Sequence, residues 1–297
     1  MNRSNEPDIA DFWELHPCGE QLVGGLETRE REDYERFFQA YDAARYRRES
    51  HIPSCLDDLN PSGKRVLEIG LGQGADSEQL IRRGAHWSGI DLTHESVERV
   101  STRLALRDLP YDDLIQGSVL SMPWPDDSFD LAFSHGVLHH VPEILDAQSE
   151  IHRILKPDGE LVVMLYARWS LNYLVSILLV RRALLLVAAP FAKLGRLTEG
   201  DGLLAGHLRN ARREGVWRYL RRDRFLHAST DGPDNPFSRV YSVADVRRDF
   251  PLFEVVRSHR HFMHAPPLPV HRAPLERVLG WHLWVHLRPR NRETIAS

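Results

Sequence analysis

A glycine-rich turn between an apolar segment and a helix is the feature that most restricts the fold of this chain. Residues 66–74 read VLEIGLGQG and place glycines at three alternate positions, Gly70, Gly72 and Gly74. Glycine is needed there because the chain turns sharply and its backbone must approach a ligand closely, where a Cβ would block the contact. The pattern predicts a strand that ends in a ligand-binding turn and leads straight into a helix.

Short apolar segments alternate with helical stretches around that turn. The strand-like segments are 65–70, 86–92, 111–117, 129–134 and 160–166, and the helical patterns are 28–50, 75–84, 94–107 and 143–155. A KPDG turn at 156–159 is predicted to separate the last of these helices from the fifth strand. The alternation predicts an α/β fold with a mostly parallel sheet covered by helices on both faces.

The C-terminal part of the chain is predicted to complete the sheet. Segments 252–263 and 281–289 are rich in β-formers and are expected to pair, with a helix possible at 270–280 between them. Ser242 and Asp245 have the spacing of a capping box that would open a short helix. A length of 297 residues suits one large domain or a domain with a lid.

An acidic residue ends the second predicted strand. Asp91 follows Gly74 by 17 residues, where a carboxylate can accept both hydroxyl hydrogens of a ribose. Dinucleotide enzymes use G-x-G-x-x-G to place a pyrophosphate at a helix N-terminus. Here Glu68 precedes glycines spaced as G-x-G-x-G, and a carboxylate there favours a ligand that carries an ammonium group and no phosphate. S-adenosylmethionine has that chemistry.

With these residues the sequence resembles the class I S-adenosylmethionine-dependent methyltransferases, especially the small-molecule group that includes the ubiquinone and menaquinone C-methyltransferases. The matching segments are VLEIGLGQG, GIDLT with Asp91, PWPDDSFDLAFSHGVLHHV at 123–141 and ILKPDGELVVMLY at 154–166. The resemblance covers residues 60–167 and implies a Rossmann-like, seven-stranded fold. The domain organisation expected from it is an N-terminal helical cap (1–60), a cofactor-binding core (61–167), a mainly helical insertion after the fifth strand that serves as a substrate lid (168–240) and a completion of the core sheet (241–297).

The resemblance also implies which residues bind S-adenosylmethionine and, after transfer, S-adenosylhomocysteine. The three glycines would form the loop under the methionine part, with Glu68 fixing that loop, while Asp91 would hold the ribose. The further cofactor-binding residues expected from it are Leu92, Ser118, Val119, Ser134, His135, Tyr41 and Tyr46. Ser118 stands where the family often has an acidic residue that bonds the adenine amino group, which puts that contact in doubt.

Methyl transfer needs alignment of an acceptor behind the sulfonium, exclusion of water and, for some acceptors, a base. The expected candidates for the base are His139, His140 and Tyr166 near the strand ends. His207, His227 and Asp231 could enter from the insertion, and spacing does not choose among the six. The histidines show no H-E-x-x-H type of pattern, so no metal is expected.

Residues 171–191 form a long apolar stretch within the insertion. Arg181 and Arg182 lie at its centre, and two arginines at mid-bilayer would cost roughly 5–7 kcal/mol, so no transmembrane helix is expected. A buried or lid helix and an interfacial helix that contacts lipid both remain open. As a lid over the cofactor, the insertion would select a hydrophobic or aromatic acceptor, with an anionic group possible because its second half is arginine-rich.

Charge is distributed unevenly along the chain. Residues 1–167 hold 16 Lys and Arg against 31 Asp and Glu, whereas residues 168–297 hold 22 against 11. A basic half can face an anionic substrate, a membrane or nucleic acid, or can complement the acidic half. A small-molecule methyltransferase is the leading prediction. The alternatives are a nucleic-acid methyltransferase and a non-catalytic cofactor-binding or membrane-associated protein. The absence of an N/D-P-P-Y motif after the fourth strand counts against the nucleic-acid methyltransferase.

Cysteine usage and the first residues bear on the compartment. Two isolated cysteines, Cys18 and Cys55, are too few for a disulfide framework or a cysteine-rich metal site. The segment MNRSNEPDIADFW has no apolar core of the kind found in secretory signals. A cytoplasmic protein is therefore expected, and the oligomeric state is not legible from the sequence.

Overall fold

A seven-stranded sheet forms the centre of the computed structural model, which describes residues 6–190, 202–270 and 274–291. Its strands are β1 (Arg65–Ile69), β2 (His86–Asp91), β3 (Asp113–Gln116), β4 (Phe129–His135), β5 (Leu155–Tyr166), β6 (Phe253–His261) and β7 (His282–Pro289). They lie in the order β3-β2-β1-β4-β5-β7-β6. The first five are parallel, and β7 runs antiparallel between β5 and β6. The predicted Rossmann-like, mostly parallel sheet is confirmed.

Helices cover both faces of this sheet. They are α1 (Glu6–Leu15), α2 (Arg31–Arg48), α3 (Ile52–Asp57), α4 (Ala75–Arg82), α5 (His94–Leu106), α6 (Ile144–Ile154), a π-helical segment (Asn172–Arg181), α7 (Arg182–Ala188), α8 (Leu203–Glu214), α9 (Val216–Tyr219), α10 (Arg222–Thr230), α11 (Val243–Asp249) and α12 (Glu276–Leu279). The sequence missed α1 and α3. Of the helix predicted at 270–280, α12 is present, and residues 271–273 lie outside the described residues.

Successive strand residues point to opposite faces of the sheet, and each face has its own core. Leu67 and Val163 pack among residues of α6 and α11, whereas Val66 and Val162 pack among residues of α3, α4 and α5. All four side chains are fully buried. The near-continuous apolar strands that the sequence shows are explained by this cover on both sides.

β5 begins earlier than the sequence predicted. Leu155 pairs with Phe129, and the next pair joins Glu160 to Leu131. Residues 156–159 therefore form a bulge within the strand and not a turn that precedes it. The prediction of a separate turn was wrong because β4 extends far enough to pair with the chain on both sides of the KPDG segment.

Side-chain caps fix where two helices begin. The Thr93 hydroxyl accepts a hydrogen bond from the Ser96 backbone N–H at the start of α5. Ser242 and Asp245 form the predicted capping box at the start of α11. Because β2 ends only two residues before Thr93, the first cap also fixes the chain beside Asp91.

The helical stretch 172–188 packs within the insertion. Tyr173, Ile177 and Leu185 are buried in a cluster with Tyr219 and other residues of the insertion. Since this stretch contributes no residue to the cavity described below, its described part does not form the predicted lid over the cofactor.

The opposite face of the same stretch is apolar and exposed. Leu179 is 62% exposed and Val187 is 69% exposed. Arg181 points inward, where its guanidinium donates to the carbonyl oxygens of Pro266 and Ser229 at 3.0 and 2.6 Å. Among the described residues, every helix is too short or too polar to cross a bilayer.

Candidate functional site

The carboxyl ends of β1 to β4 open into a cavity at one edge of the sheet. The cavity holds about 1130 Å³ of space, its open mouth included. The wall includes the glycine turn, the ends of β2 and β4, the residues after β3, and α1.

The glycine turn brings backbone into the wall. Gly70 has φ +78°, and a Cβ added there would lie 2.1 Å from Cγ2 of Val137. Gly72 also has positive φ and lines the cavity. Gly74 caps the start of α4 behind the wall with φ +72°. A side chain at Gly70 would therefore collide with Val137, and the backbone of Gly70 and Gly72 forms part of the wall.

Asp91 lies in the cavity wall, and hydrogen bonds from Leu71 and Thr93 orient its carboxylate. The backbone N–H of Leu71 donates to one oxygen at 2.7 Å, and Thr93 donates to the other from its N–H at 2.9 Å and its hydroxyl at 2.8 Å. Burial raises the pKa of Asp91, and these donors oppose that change. A carboxylate oriented in this way can accept the hydroxyls of a ribose.

Glu68 lies in the same wall and is 2% exposed. Trp87 donates its indole N–H to the carboxylate at 2.8 Å. Burial, reinforced by the nearby Asp76 carboxylate, raises the pKa of Glu68 from 4.5 to about 8. The group is therefore largely neutral at pH 7 and becomes charged when a cation lies beside it.

The side of the cavity after β3 receives a carboxylate from a distant part of the chain. Leu92, Ser118 and Val119 line it together with Ile9 of α1. The Ser118 hydroxyl donates to a carboxylate oxygen of Glu6 at 2.6 Å. Glu6 also lines the cavity, so an acidic group is present where the sequence offered only a serine.

A cluster of charged and polar side chains lines the side of the cavity near β4. The Arg45 guanidinium donates to Asp76 at 2.6 Å and to the Tyr41 hydroxyl at 3.1 Å. The His135 ring nitrogen Nδ1 donates to the same Asp76 oxygen at 2.7 Å. Burial acts to raise the pKa of Asp76, but Arg45 and His135 hold it down to about 2. This side of the cavity therefore carries a permanent anion and cation in contact.

His140 is held at the cavity by the insertion. Its Nδ1 donates to the carbonyl oxygen of Phe237 at 2.7 Å, and its Nε2 lies 3.3 Å from the Asp231 carboxylate. Tyr166 donates its hydroxyl to the other Asp231 oxygen at 2.8 Å. Both ring nitrogens of His140 therefore face groups of the insertion, while the ring itself lies in the cavity wall.

Comparison with known proteins identifies the domain that carries these groups. Residues 67–163 match the family model for a methyltransferase domain. This matched segment, about a third of the chain, is therefore a methyltransferase domain. The chain is 32% identical over 124 residues to a sterol 24-C-methyltransferase of Gibberella zeae, a match of 41% of this chain and 32% of that protein.

Two further likenesses agree with this assignment. The chain is 32% identical over 103 residues to a phthiotriol/phenolphthiotriol dimycocerosates methyltransferase of Mycobacterium ulcerans, over 34% of this chain and 37% of that protein. The chain thus spans about a third of the length of these relatives. An S-adenosylmethionine-dependent methyltransferase from Aquifex aeolicus shares the fold, with a TM-score of 0.51, 14% identity, and coverage of 89% of this chain and 100% of that one.

Several residues expected in the methyltransferase site lie behind the wall. Ser134 donates its hydroxyl to the Ile69 carbonyl oxygen at 3.1 Å, and Tyr46 donates to the Ala75 carbonyl oxygen at 3.1 Å. Neither lines the cavity, because each side chain is used to join two elements of the fold. Tyr41, the other tyrosine expected in the site, does line it.

The six candidate bases differ in whether they line the cavity. His139 and Tyr166 do not line the cavity: burial keeps the pKa of His139 well below 6.5, and burial beside Asp231 raises that of Tyr166 well above 10.0. His207 bonds the Tyr219 hydroxyl at 2.7 Å within the insertion.

The other histidine of the insertion is also remote from the wall. His227 lies with Nδ1 2.9 Å from the Ser238 carbonyl oxygen and lines no part of the cavity. Of the six candidates, His140 is the one in the wall, and Asp231 supports it from behind.

Sequence reasoning missed many of the residues that line the cavity, among them Glu6, Trp13, Arg45 and Asp76. Apolar residues at helical spacing in 6–15 were the available signal for α1, since Ile9 and Phe12 are its buried residues. No local pattern marks Arg45 or Asp76, because their role depends on contact between α2 and α4.

Proposed function

We propose that this chain transfers the methyl group of S-adenosylmethionine to a small, hydrophobic acceptor. The observation that supports this most strongly is one cavity that holds the glycine cradle, the oriented Asp91 carboxylate, buried Glu68 and His140. The residues fit the cofactor, because Gly70 and Gly72 line the cavity with backbone and no side chain, and Asp91 offers acceptors for ribose hydroxyls. When bound, S-adenosylmethionine supplies an electrophilic methyl group.

In this mechanism the protein positions groups and excludes water. Asp91 would accept hydrogen bonds from the ribose hydroxyls, Glu6 would accept one from the adenine amino group, and Glu68 would face the ammonium group. Trp13 and Val137 line the same cavity and would help to exclude water. Exclusion of water strengthens each of these contacts and prevents hydrolysis.

His140 is the proposed base. A proton that reached its Nε2 would lie between the ring and the Asp231 carboxylate, 3.3 Å away. Asp231 and Phe237 of the insertion (168–240) contact His140. Through these contacts the insertion would influence the reaction without covering the cofactor.

The acceptor is proposed to be hydrophobic for two reasons. Ile9, Trp13, Val141 and Pro142 give the cavity an apolar side. The two curated relatives are named for sterol and dimycocerosate acceptors, which are apolar molecules. A nucleic-acid acceptor has no support from the groups that line the cavity, where the Glu6 and Asp91 carboxylates would oppose a phosphate backbone.

The test is calorimetry with S-adenosylhomocysteine. Asp91→Asn should weaken binding roughly 10- to 100-fold, because hydrogen bonds to a charged group contribute about 1.5–3 kcal/mol. Asp112→Asn, a change at an exposed residue before β3, is the matched control and should bind as wild type does. Equal affinity of all three proteins would refute the ribose assignment.

Turnover on a panel of lipid, phenol and nucleic-acid acceptors then separates the classes. His140→Gln should retain S-adenosylhomocysteine binding and lower kcat for acceptors that must lose a proton. Methylation of nucleic acid alone would overturn the small-molecule proposal, and cofactor binding without turnover on any acceptor class would overturn the enzymatic one.

A further inference from the structure

A second group of ligand-type side chains lies outside the methyltransferase cavity. Cys55 of α3 and two histidines of β6, His259 and His261, each offer one ligand atom, and these three atoms lie within 4.8 Å of one another. Cys55 is 3% exposed and His261 is 6% exposed. The two histidines face α3 together because residues two apart in a strand point to the same side.

The distance between the two rings is informative. Nδ1 of His259 and Nε2 of His261 are 2.9 Å apart. Two nitrogens bound at about 2.0–2.1 Å to a tetrahedral zinc ion are separated by roughly 3.3 Å, so this pair is already near the spacing that such an ion requires. Without an ion, the two nitrogens share at most one hydrogen bond.

From this geometry we propose that Cys55, His259 and His261 bind a transition-metal ion, of which zinc is the best fit. A thiolate with two imidazoles is a soft to borderline ligand set that excludes magnesium and calcium, which take oxygen ligands. Three protein ligands leave a fourth position of the tetrahedron for water.

The surroundings of the group suit a metal. A Glu276 carboxylate oxygen lies 3.7 Å from Nδ1 of His261, where it can act as the outer carboxylate that commonly orients a ligating histidine. Burial lowers the pKa of His259 to about 4 and also lowers that of His261, so both rings are neutral near pH 7. Neutral imidazole is the form that binds metals.

The thiol must lose its proton when the ion binds. Burial raises the pKa of Cys55 to about 12, so the unliganded side chain is a thiol at pH 7. Binding exchanges the S–H bond for a sulfur–zinc bond and releases one proton to solvent, with no change of oxidation state. Zinc affinity therefore rises with pH.

A second possible metal group, Glu49 with His135 and His282, also has its atoms within 4.8 Å. It is a poorer site because the Arg45 guanidinium lies 3.0 Å from the His135 ring and opposes a second cation. The Cys55 group has no arginine in hydrogen-bond contact among the described residues, and it would join α3 to β6 at the end of the sheet.

The test is zinc stoichiometry of the full chain after chelator treatment and equilibrium dialysis against zinc. Wild type should bind one equivalent, and Cys55→Ser, His259→Gln and His261→Gln should each lose it. Cys18→Ser and His94→Gln, which change the other cysteine and an exposed histidine, are the matched controls and should bind as wild type does.

A cobalt titration of the wild-type protein tests the site without depending on whether the variants fold. Wild type with cobalt should show a thiolate-to-cobalt charge-transfer band, and zinc should remove the band and raise the Tm. Absence of binding by wild type, binding without the thiolate band, or loss of binding in His282→Gln with retention in Cys55→Ser would each overturn the assignment.

Discussion

The buried carboxyl of Glu68 should make the stability of the protein fall as pH rises. Its folded pKa of about 8 stands above the ordinary 4.5, so folding favours the protonated form. The stabilisation is complete below about pH 4.5 and is lost as pH rises through about 8. The full difference corresponds to about 5 kcal/mol, since one pKa unit is worth about 1.4 kcal/mol.

Glu68→Gln isolates this effect, because a glutamine keeps the hydrogen-bond acceptor for Trp87 and cannot ionise. In urea denaturation between pH 5 and 7.5, wild type should lose about 1.4 kcal/mol per pH unit relative to this variant. Glu254→Gln, at an exposed acid of β6, is the control and should follow wild type. A constant difference between wild type and Glu68→Gln across that range would refute the reasoning.

Cofactor binding gives a second readout of the same group. An ammonium group beside Glu68 favours the carboxylate, so binding at pH 7 should release close to one proton per chain. Calorimetry in buffers of different ionisation enthalpy measures that proton. It should disappear in Glu68→Gln, and its persistence there would assign it to another group.

Three further predictions concern the cradle, the adenine side and the exposed helix. Gly70→Ala should destabilise the protein by about 2–4 kcal/mol in denaturant titration, because it combines positive φ with a clash. Glu6→Gln should weaken S-adenosylhomocysteine binding roughly 3- to 10-fold in calorimetry, since a charge-assisted hydrogen bond is replaced by a neutral one, a difference of about 1 kcal/mol. Val187→Glu should reduce sedimentation with anionic lipid vesicles, because its exposed apolar face is the one suited to an interface.

Each of these changes has a control in the chain. Gly72→Ala meets its nearest neighbour, Cys18, at an ordinary 3.7 Å and should cost less than Gly70→Ala. Asp8→Asn in α1 should leave cofactor affinity unchanged, and Leu145→Glu, at an exposed leucine of α6, should leave vesicle binding unchanged. Equal effects within any pair would contradict the corresponding argument.

The sheet could be predicted from the sequence because its signals are local. Residues 66–74 carry the strand, the turn and the helix start within nine positions, and Asp91 follows at the end of the next strand. The capping residues Thr93 and Ser242 likewise act within three residues of themselves. Such patterns need no knowledge of tertiary contacts.

The remainder of the site depends on contacts between distant segments. The hydrogen bond from Ser118 to Glu6 spans 112 residues, and that from Arg45 to Asp76 spans 31. A run of apolar residues at 171–191 predicts burial but not the partner, so its position beside Tyr219 could not be read from the sequence. Two histidines at alternate positions of β6 do not by themselves indicate a metal site. The proposed site is recognisable only because the fold brings Cys55 opposite them.

The first helix makes the outer wall of the cavity from residues that precede the whole sheet. Glu6, Ile9 and Trp13 stand between the adenine side and solvent, with the Trp13 ring packed edge-on against His140 at 5.1 Å. If product and cofactor exchange past this helix, the rate of its detachment would limit the turnover number. The chain holds seven tryptophans, so the fluorescence change that Trp13→Phe removes is the one that reports this exchange.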